Sequence, residues 1–297
     1  MQLDEIEKTC LFRYRNFNKN TIKEVLNKEI WHSDVKNLND PFEFPINFDW
    51  SEIDGKDIGL LVKYAMHFKF LPTEEITAYL IRKEVDKLYN IVNENLYYSN
   101  LAMKEYYESL YVCCFSQSLK DPLMWSHYSD GMKGVCIAYD KKILKETSEY
   151  ENLNEVVYNK IPIEFLFKDF RADKISGEFQ YYDEVHKQHR VAEACLIRLN
   201  TFSHLYQKHE RWGYEGEVRN IVDLNIPRSK RNGGALVKYP SNAVKAIFVG
   251  FKMKIVNVKM ILKYCSMNRV PLYFVSPNKF DYSISIKPLY LPSSPKI

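Results

Sequence analysis

The sequence predicts an α+β protein with a mixed, mainly antiparallel sheet core and a helical insertion. Three observations carry this prediction: strand-like segments lie towards both ends of the chain, a long stretch of helical periodicity separates them, and 46% of the 297 residues are hydrophobic. Period-two alternation is typical of strands, whereas apolar residues three and four apart are typical of helices. We therefore expect a single α+β domain over residues 1–297, with a helical insertion or lid at residues 56–110.

The N-terminal part is predicted to start the sheet. Strands are expected at residues 10–15 and 30–33, with a helix from about Asn20 between them. Asn-Asp-Pro at residues 39–41 is typical of a turn, because Asx side chains bond their own backbone and proline disfavours helix at the preceding residue. Apolar residues then recur at helical spacing through residues 56–110.

The remainder is predicted to mix strands and helices. Residues 111–117 are nearly continuously apolar, as in a buried strand, and Asp121-Pro122 starts a short helix with an N-cap and a first-turn proline. A mixed helical stretch follows a strand at 135–139, with its longest helix expected at about 178–210. The predicted elements after it are strands at 217–223, 243–249 and 272–275 and an amphipathic helix at 255–268.

Composition excludes several classes of protein. No run approaches the roughly 18 apolar residues of a membrane span, and the first ten residues lack the pattern of a secretory signal, so we expect a cytoplasmic protein. The six cysteines form no CxxC pair, which favours buried thiols, and neither GxGxxG nor GxxxxGK[ST] occurs. His186 and His189 lie three apart, but no third ligand is evident, so no metal site is predicted.

The stretch WGYEGEVR at residues 212–219 is the strongest candidate for chemistry. Strand side chains alternate with period two, so Glu215, Glu217 and Arg219 share one face if the segment is extended. One interpretation is a solvated edge of a sheet. The other is a catalytic strand.

Four blocks resemble the bacterial family catalogued as domain of unknown function 2971. In chain order they are LFRYRNF, EIWHSDVKNLNDPFEF, CFSQSLKDPLMWSHYSDGMKGVCIAYD and KHERWGYEGEVRNI. They run from about residue 11 to residue 221, and the family name carries no activity.

A second resemblance implies an activity. ADP-ribosyltransferases of the arginine-serine-glutamate type carry an Arg on the first core strand, a Ser on a later strand and a Glu-x-Glu at a strand end. The chain is similar in the order of Arg13 or Arg15, Ser116 or Ser118, and EGE at residues 215–217. It departs from the pattern in having FSQS where Ser-Thr-Ser is expected. The resemblance implies an ADP-ribosyltransferase-like sheet core and NAD as the substrate.

Cleavage of the N-glycosidic bond of NAD passes through an oxocarbenium-like state at the ribose. A carboxylate fixed on a strand beside the ribose stabilises that charge, and Glu217 is the candidate. The resemblance implies that Glu215 orients an acceptor or accepts its proton. The pyrophosphate favours a two-pronged cation, so Arg13 or Arg15 is expected to bind it. The alternative for these arginines is an ion pair with Asp40 or Glu43.

Further predicted cofactor-binding residues surround this strand. Trp31, Trp125 and Tyr128 are candidate stacking surfaces for nicotinamide or adenine, although an aromatic residue on a short helix, such as Trp125, is more often a core residue. His127 is expected on another helix face, lining the pocket or capping the strand below. The set is completed by Ser116 and Arg219, and Lys208 is predicted to reach phosphate from a helix end.

The sequence thus predicts an NAD-dependent ADP-ribosyltransferase-like enzyme, a bacterial toxin or phage-defence effector. Its partners are expected to be NAD, a nucleic-acid or protein acceptor (or water) and an inhibitory protein, with no membrane. One alternative is a metal-independent nuclease or RNA-processing enzyme that uses Glu217, His127 and the arginines as acid, base and phosphate clamp. Another is a non-catalytic binding or sensing module, in which an exposed Glu217–Arg219 pair contributes at most about 1 kcal/mol.

Overall fold

The computed structural model describes residues 2–42, 57–161, 170–174, 179–183, 188–192, 195–199, 203–226, 230 and 232–292. The chain divides into two compact units. Unit 1 comprises Met1–Phe42, Leu110–Ile161 and Tyr206–Ile297, and unit 2 comprises Glu43–Ser109 and Pro162–Leu205.

The described helices and strands span both units. The helices are α1 (Leu3–Thr9), α2 (Lys19–Asn27), α3 (Ile58–His67), α4 (Thr73–Ile81), α5 (Val85–Ser109), α6 (Pro122–Tyr128), α7 (Lys141–Lys145) and α8 (Ile255–Asn268). The first strands are β1 (Cys10–Arg15), β2 (Glu29–Asp34), β3 (Leu110–Ser116), β4 (Val135–Asp140), β5 (Leu153–Glu155), β6 (Val157–Asn159), β7 (Phe170–Lys174) and β8 (Phe179–Asp183). The remaining strands are β9 (Gln188–Ala192), β10 (Cys195–Leu199), β11 (Gln207–His209), β12 (Glu217–Asp223), β13 (Gly234–Lys238), β14 (Val244–Gly250), β15 (Leu272–Pro277) and β16 (Ile284–Tyr290).

Unit 1 is built on a ten-stranded sheet among the described residues, in which β14 and β15 are parallel and the other paired neighbours are antiparallel. The main path runs β13-β2-β3-β1-β4-β14-β15-β16, and β12 pairs with both β3 and β5. One edge of β3 therefore carries β12, and the other carries β2 at one end and β1 at the other. The predicted α+β class with a mainly antiparallel sheet is confirmed.

The sheet of unit 1 is covered on both faces, and β1 shows why. Leu11 packs into one hydrophobic cluster, with residues of α2 and α8, while Phe12 packs into another, with residues of α1 and α6. Successive side chains of a strand point to opposite faces, so Leu11 and Phe12 show that both faces of β1 are covered. The same alternation decides which β1 side chains reach the functional site.

Gly134, just before β4, allows the chain to pass close to β1. A Cβ at this position would lie 2.2 Å from the backbone oxygen of Arg15. We expect Gly134→Ala to reduce the free energy of unfolding by about 1–3 kcal/mol, because the backbones must separate. Urea unfolding beside Gly213→Ala tests this, since a Cβ at Gly213 meets nothing within 4 Å. Equal midpoints for the two variants would contradict the prediction.

The prediction of a helix at residues 178–210 is wrong. The described residues there form strands β8, β9, β10 and β11 and a short 3₁₀ turn at Ser203–Tyr206. β8 pairs antiparallel with β9, and β10 pairs antiparallel with β7. Pairing between strands supplies the backbone hydrogen bonds here, and such tertiary context overrides local helical spacing. His189 therefore lies on a strand, while His186 lies outside the described residues.

Unit 2 contains the helices α3, α4 and α5, within the range where helical periodicity was predicted. They bury a cluster that includes Leu61, Leu88 and Leu96, and the strand pairs β7–β10 and β8–β9 belong to the same unit. That residues 56–110 form an insertion or lid stays a prediction. In the part of the chain that the structure describes, no helix is long and apolar enough to span a membrane.

Candidate active-site cleft

A small cleft in unit 1 opens where β1, β3 and β12 lie side by side. Its volume is about 80 Å³, and its lining residues are Phe12, Tyr14, Asn39, Cys114, Phe115, Ser116, Met124, Tyr128, Lys208, Glu215 and Glu217. The strand register explains the core of this set. Ser116 pairs with Phe12 of β1 and with Glu217 of β12, and directly paired residues share a face of the sheet.

Glu215 reaches the cleft from a turn and not from the strand. It ends the 3₁₀ turn Glu210–Glu215, and Gly216 follows with a φ of +49°, a left-handed conformation that glycine adopts at little cost. Because β12 begins only at Glu217, the predicted extended register of Glu215 is wrong. The turn nevertheless brings Glu215 and Glu217 to the same cleft.

Lys208 joins the two carboxylates. It lies on β11, which pairs in parallel with β6, and not at the predicted helix end. Its Nζ is 2.8 Å from Glu215 Oε2 and 3.3 Å from Glu217 Oε2, and 4.7 Å from the ring centroid of Trp212. One ammonium group therefore contacts both carboxylates and holds them at the same cleft.

Glu217 is held as a carboxylate anion. Its side chain accepts hydrogen bonds from Arg219 Nε at 2.6 Å and Arg219 Nη2 at 3.2 Å, and its backbone N–H donates to Tyr158 Oη at 2.8 Å. Burial alone would raise its pKa, but attraction to Arg219 and Lys208 outweighs burial and holds the pKa at about 2. Glu217 is therefore ionised at neutral pH.

The pKa of Glu215 is displaced in the opposite direction, upwards. Burial raises its pKa, and this effect exceeds the opposing influence of Lys208 and of the Tyr128 hydroxyl. Tyr128 donates to Glu215 Oε1 and accepts from Asn39 Nδ2 at 2.7 Å. Two neighbouring carboxyl groups with pKa values displaced in opposite directions suit different roles in proton transfer.

Tyr128→Phe tests this electrostatic arrangement. The Tyr128 hydroxyl stabilises ionised Glu215, so its loss should raise the pKa of Glu215 further. NMR titration of ¹³C-labelled glutamate side chains measures the midpoint. Tyr206→Phe is the control, because its hydroxyl donates instead to Asn152 O. A Glu215 midpoint that is unchanged or lower in Tyr128→Phe would contradict the prediction.

Ser116 fastens the turn that carries Glu215. Its hydroxyl donates to the backbone oxygen of Glu215 at 2.6 Å and accepts from the Ser118 N–H at 3.0 Å. The side chain is buried, so these contacts position the neighbouring carboxylate. The structure thus brings together Ser116, Tyr128, Glu215 and Glu217 among the predicted site residues.

Arg13 lies on the opposite face of β1 from the cleft. Phe12 and Tyr14 line the cleft, and period-two alternation therefore directs Arg13 away from it. Its guanidinium donates to Cys113 Sγ and to Trp31 O, both at 2.7 Å. The structure does not bring this predicted phosphate ligand to Glu217.

Arg15 shares the face of Arg13 and pairs with Glu24 of α2. The predicted alternative partners were Asp40 and Glu43, of which Glu43 lies outside the described residues. The correct partner comes from the helix that packs on this face. The strand register, which a single sequence does not show, was the missing information.

The α6 residues have different environments. Trp125 is fully buried, its Nε1 donates to Leu119 O at 2.8 Å, and its ring packs edge-on against Tyr14, so it offers no face for stacking. His127 is exposed. Its ring centroid lies 6.1 Å from the ring centroid of Tyr214, and the ring centroids of Tyr214 and Trp212 lie 6.2 Å apart.

Among the described residues, no group of three His, Cys, Asp or Glu side chains is placed to hold a metal ion.

Arg219 and two other residues complete the surroundings of the cleft. Arg219 is fully buried and contacts Glu217, so it holds the carboxylate in place and ionised from within the sheet. Sequence reasoning missed Tyr158, which comes from β6, 59 positions before Glu217. It assigned Asn39 only to a turn, yet the Asn39 side chain bonds Tyr128. No local pattern distinguishes these two residues.

Comparison with known proteins gives one match. Residues 124–220 match the model of the family described as Protein of unknown function (DUF2971). The matched range includes Tyr128, Lys208, Glu215 and Glu217, whereas the two N-terminal blocks of the sequence resemblance precede it. No curated protein and no solved structure matches the chain significantly. The family description states no activity.

Proposed function

We propose that the cleft is the active site of an ADP-ribosyltransferase-like enzyme that cleaves NAD and passes ADP-ribose to a nucleic acid, a protein or water. The observation that supports this most is that Lys208 contacts two carboxyl groups with different properties. Glu217 is ionised, whereas the pKa of Glu215 is raised. Bond cleavage at a ribose needs a fixed negative charge beside the developing cation and a separate group to take a proton. Glu217 and Glu215 match these two needs.

In the proposed reaction the bond from ribose C1′ to the nicotinamide nitrogen breaks, and its electron pair leaves with neutral nicotinamide. Ionised Glu217 stabilises the positive charge on the ribose. A lone pair of the acceptor forms the new bond to C1′, and the proton of the acceptor passes to Glu215 in its ionised form. A raised pKa makes Glu215 a stronger base than an ordinary carboxylate.

The size of the cleft limits what enters it. Its volume of about 80 Å³ is below the roughly 300–1,000 Å³ of sites that enclose a whole ligand, so only the reacting ring would fit inside. The row of rings formed by His127, Tyr214 and Trp212 provides a stacking surface for an aromatic part of the substrate. Lys208, the cation among the described lining residues, is engaged by carboxylates, so we assign no phosphate contact to the cleft.

The alternative functions have less support. A nuclease that uses Arg13 or Arg15 as a phosphate clamp needs these arginines beside Glu217, but the structure places them on the other face of the sheet. A binding module with an exposed ion pair needs an open strand edge. Instead, β12 lies between β3 and β5, and Glu217 and Arg219 are buried.

The acceptor can be found with NAD labelled in its adenine ring, incubated with purified protein and bacterial lysate. Label on nucleic acid or protein, or free labelled ADP-ribose, would support the proposal and identify the acceptor. Intact NAD together with shortened RNA or DNA in the presence of a chelator would instead support a metal-independent nuclease.

We also propose that the enzyme acts in the cytoplasm as a toxin or phage-defence effector, restrained by an inhibitory partner. Consumption of NAD or modification of a nucleic acid would account for toxicity. Induced expression should then arrest bacterial growth, with a fall in cellular NAD if NAD is hydrolysed. Growth that is equal with wild-type protein and with Glu217→Gln would argue against the toxin role.

A further inference from the structure

The turn between β15 and β16 exposes two aromatic side chains almost completely. This aromatic turn comprises Asn278–Ser283, next to the strand that ends the main path of the sheet in unit 1. The side chain of Phe280 is 95% exposed and that of Tyr282 is 101% exposed. Keeping two large rings in water within one short turn is unfavourable, so covering them with a partner would release free energy.

Hydrogen bonds within the aromatic turn fix its backbone. Asn278 N donates to Ser283 O at 2.9 Å, which closes the turn. Phe280 N donates to Asn278 Oδ1 at 3.2 Å, and Ser283 N donates to Asp281 Oδ1 at 2.8 Å. The segment that carries the two rings is therefore ordered before any partner binds, which reduces the conformational entropy lost on binding.

A second segment, the basic loop Phe251–Lys254, leaves the sheet at the same end. It follows β14, which runs parallel to β15, so the segments after these two strands emerge side by side. Val275 pairs with Gly250, and the aromatic turn begins three residues after Val275, about 10 Å along the strand. The loop is anchored by Lys252 N, which donates to Met132 O at 3.1 Å. A few nucleotides of a single strand are long enough to reach both segments.

The aromatic turn and the basic loop carry a net positive charge. Their exposed cations are Lys252, Lys254 and Lys279. Asp281 is the one acidic residue in the two segments, and among the described residues no carboxylate forms an ion pair with the three lysines. The neighbouring Lys133 is paired with Asp130 at 3.6 Å, so this pair adds no net charge. Exposed lysines interspersed with aromatic rings are suited to a ligand that has both phosphates and flat bases.

We propose that the aromatic turn and the basic loop bind single-stranded nucleic acid. Bases would stack on the rings of Phe280 and Tyr282, and the lysines would contact the phosphates. Every base has a π-face, so this mode of binding tolerates many sequences, and RNA and DNA share the chemistry. The proposal goes beyond NAD cleavage and does not rest on it, because this binding needs neither NAD nor the cleft.

Asp281 favours nucleic acid over a membrane as the partner. Hydrogen bonds from Ser283 hold the pKa of the Asp281 carboxyl below its usual value, so the group is ionised at neutral pH. Asp281 lies between Phe280 and Tyr282 in the chain, and inserting both rings into lipid would carry its charge towards the hydrocarbon, which is costly. Stacked bases leave the carboxylate in water, where it can also accept from a base amino group.

Fluorescence anisotropy of labelled single-stranded RNA and DNA, each of about 12 nucleotides, measures the binding without NAD. Comparison of the two probes distinguishes RNA from DNA. We expect Phe280→Ala and Tyr282→Ala each to weaken binding by about fivefold or more, as for the loss of one stacked base. Tyr97→Ala is the control, because Tyr97 is a half-exposed aromatic residue on α5 in unit 2.

Lys252→Gln and Lys279→Gln test the phosphate contacts. Each should weaken binding and reduce the slope of log affinity against log salt concentration by about 0.7, the value for one phosphate contact on a single strand. Lys142→Gln is the control, because Lys142 is exposed on α7, which follows the opposite end of β4.

Three results would overturn the proposal. The first is that neither single-stranded probe binds, and the second is that binding is unchanged in both Phe280→Ala and Tyr282→Ala. The third is equal affinity for single-stranded and double-stranded DNA, because bases inside a duplex have no free face for stacking. Binding to phosphatidylglycerol vesicles that both aromatic variants abolish, without binding of either probe, would identify a membrane surface instead.

Discussion

Glu217→Gln is expected to slow the proposed cleavage of NAD by about 100- to 1,000-fold, the size of effect seen when a fixed group that stabilises transition-state charge is removed. Glutamine keeps the shape of the side chain and a hydrogen-bond acceptor for Arg219, but it removes the charge that would stabilise the ribose cation in the proposed reaction. The release of nicotinamide from NAD, followed at substrate concentrations below and above KM, measures the loss.

The control for this variant is Glu155→Gln. Glu155 lies on β5, beside β12, and pairs with Lys141 at 2.9 Å on the exposed surface. Its replacement should leave the rate unchanged. Since Glu217→Gln also leaves two cations less well neutralised, circular dichroism must first show that the variant is folded at the assay temperature. A folded Glu217→Gln variant that cleaves NAD at the wild-type rate would contradict the assignment.

Arg219→Met is expected to reduce the free energy of unfolding by about 3–5 kcal/mol, because it leaves a buried carboxylate without its main partner. Arg219 is fully buried and contacts both oxygens of Glu217. Its loss should also raise the pKa of Glu217 from about 2, since attraction to Arg219 is the strongest influence that opposes burial. Urea unfolding of the wild-type chain and the variant measures the change in stability.

A double variant separates the lost ion pair from lost packing. Arg219→Met with Glu217→Leu removes both charges, so it should recover part of the stability lost in Arg219→Met. Lys142→Met is the surface control, because Lys142 lies 4.0 Å from Glu146 with both side chains exposed, and little change is expected there. If Arg219→Met and Lys142→Met have equal free energies of unfolding, the buried Glu217–Arg219 pair does not contribute the stability assigned to it.

The sequence predicted much of the sheet in unit 1 because local patterns govern these elements. The strand near residues 10–15 and the helix started by Asp121-Pro122 both occur, and the Asp121 side chain accepts from the backbone N–H groups of Leu123 and Met124 as an N-cap. By contrast, β8, β9, β10 and β11 were missed. Their backbone hydrogen bonds are made between separate segments, which helical spacing within one segment does not reveal.

The candidate site was predicted only in part, because some of its contacts depend on local patterns and others on distant segments. The alternation of Glu217 and Arg219 along a strand is local, and it correctly placed both on one face. Arg13 lies outside the cleft because of the register between β1 and β3. Lys208 contacts both Glu215 and Glu217 because of the turn that ends at Gly216. Phe12 and Ser116 pair although they are about one hundred residues apart, and no local pattern in a single sequence indicates such pairing between strands.

The most direct measurement of the central claim is the release of nicotinamide from NAD by the purified protein, with and without bacterial lysate. The proposed chemistry predicts release in at least one of these conditions and its loss in Glu217→Gln. Dependence on lysate would show that a macromolecule accepts the ADP-ribose, whereas release without lysate would show hydrolysis. A folded protein that releases no nicotinamide in either condition would contradict the account.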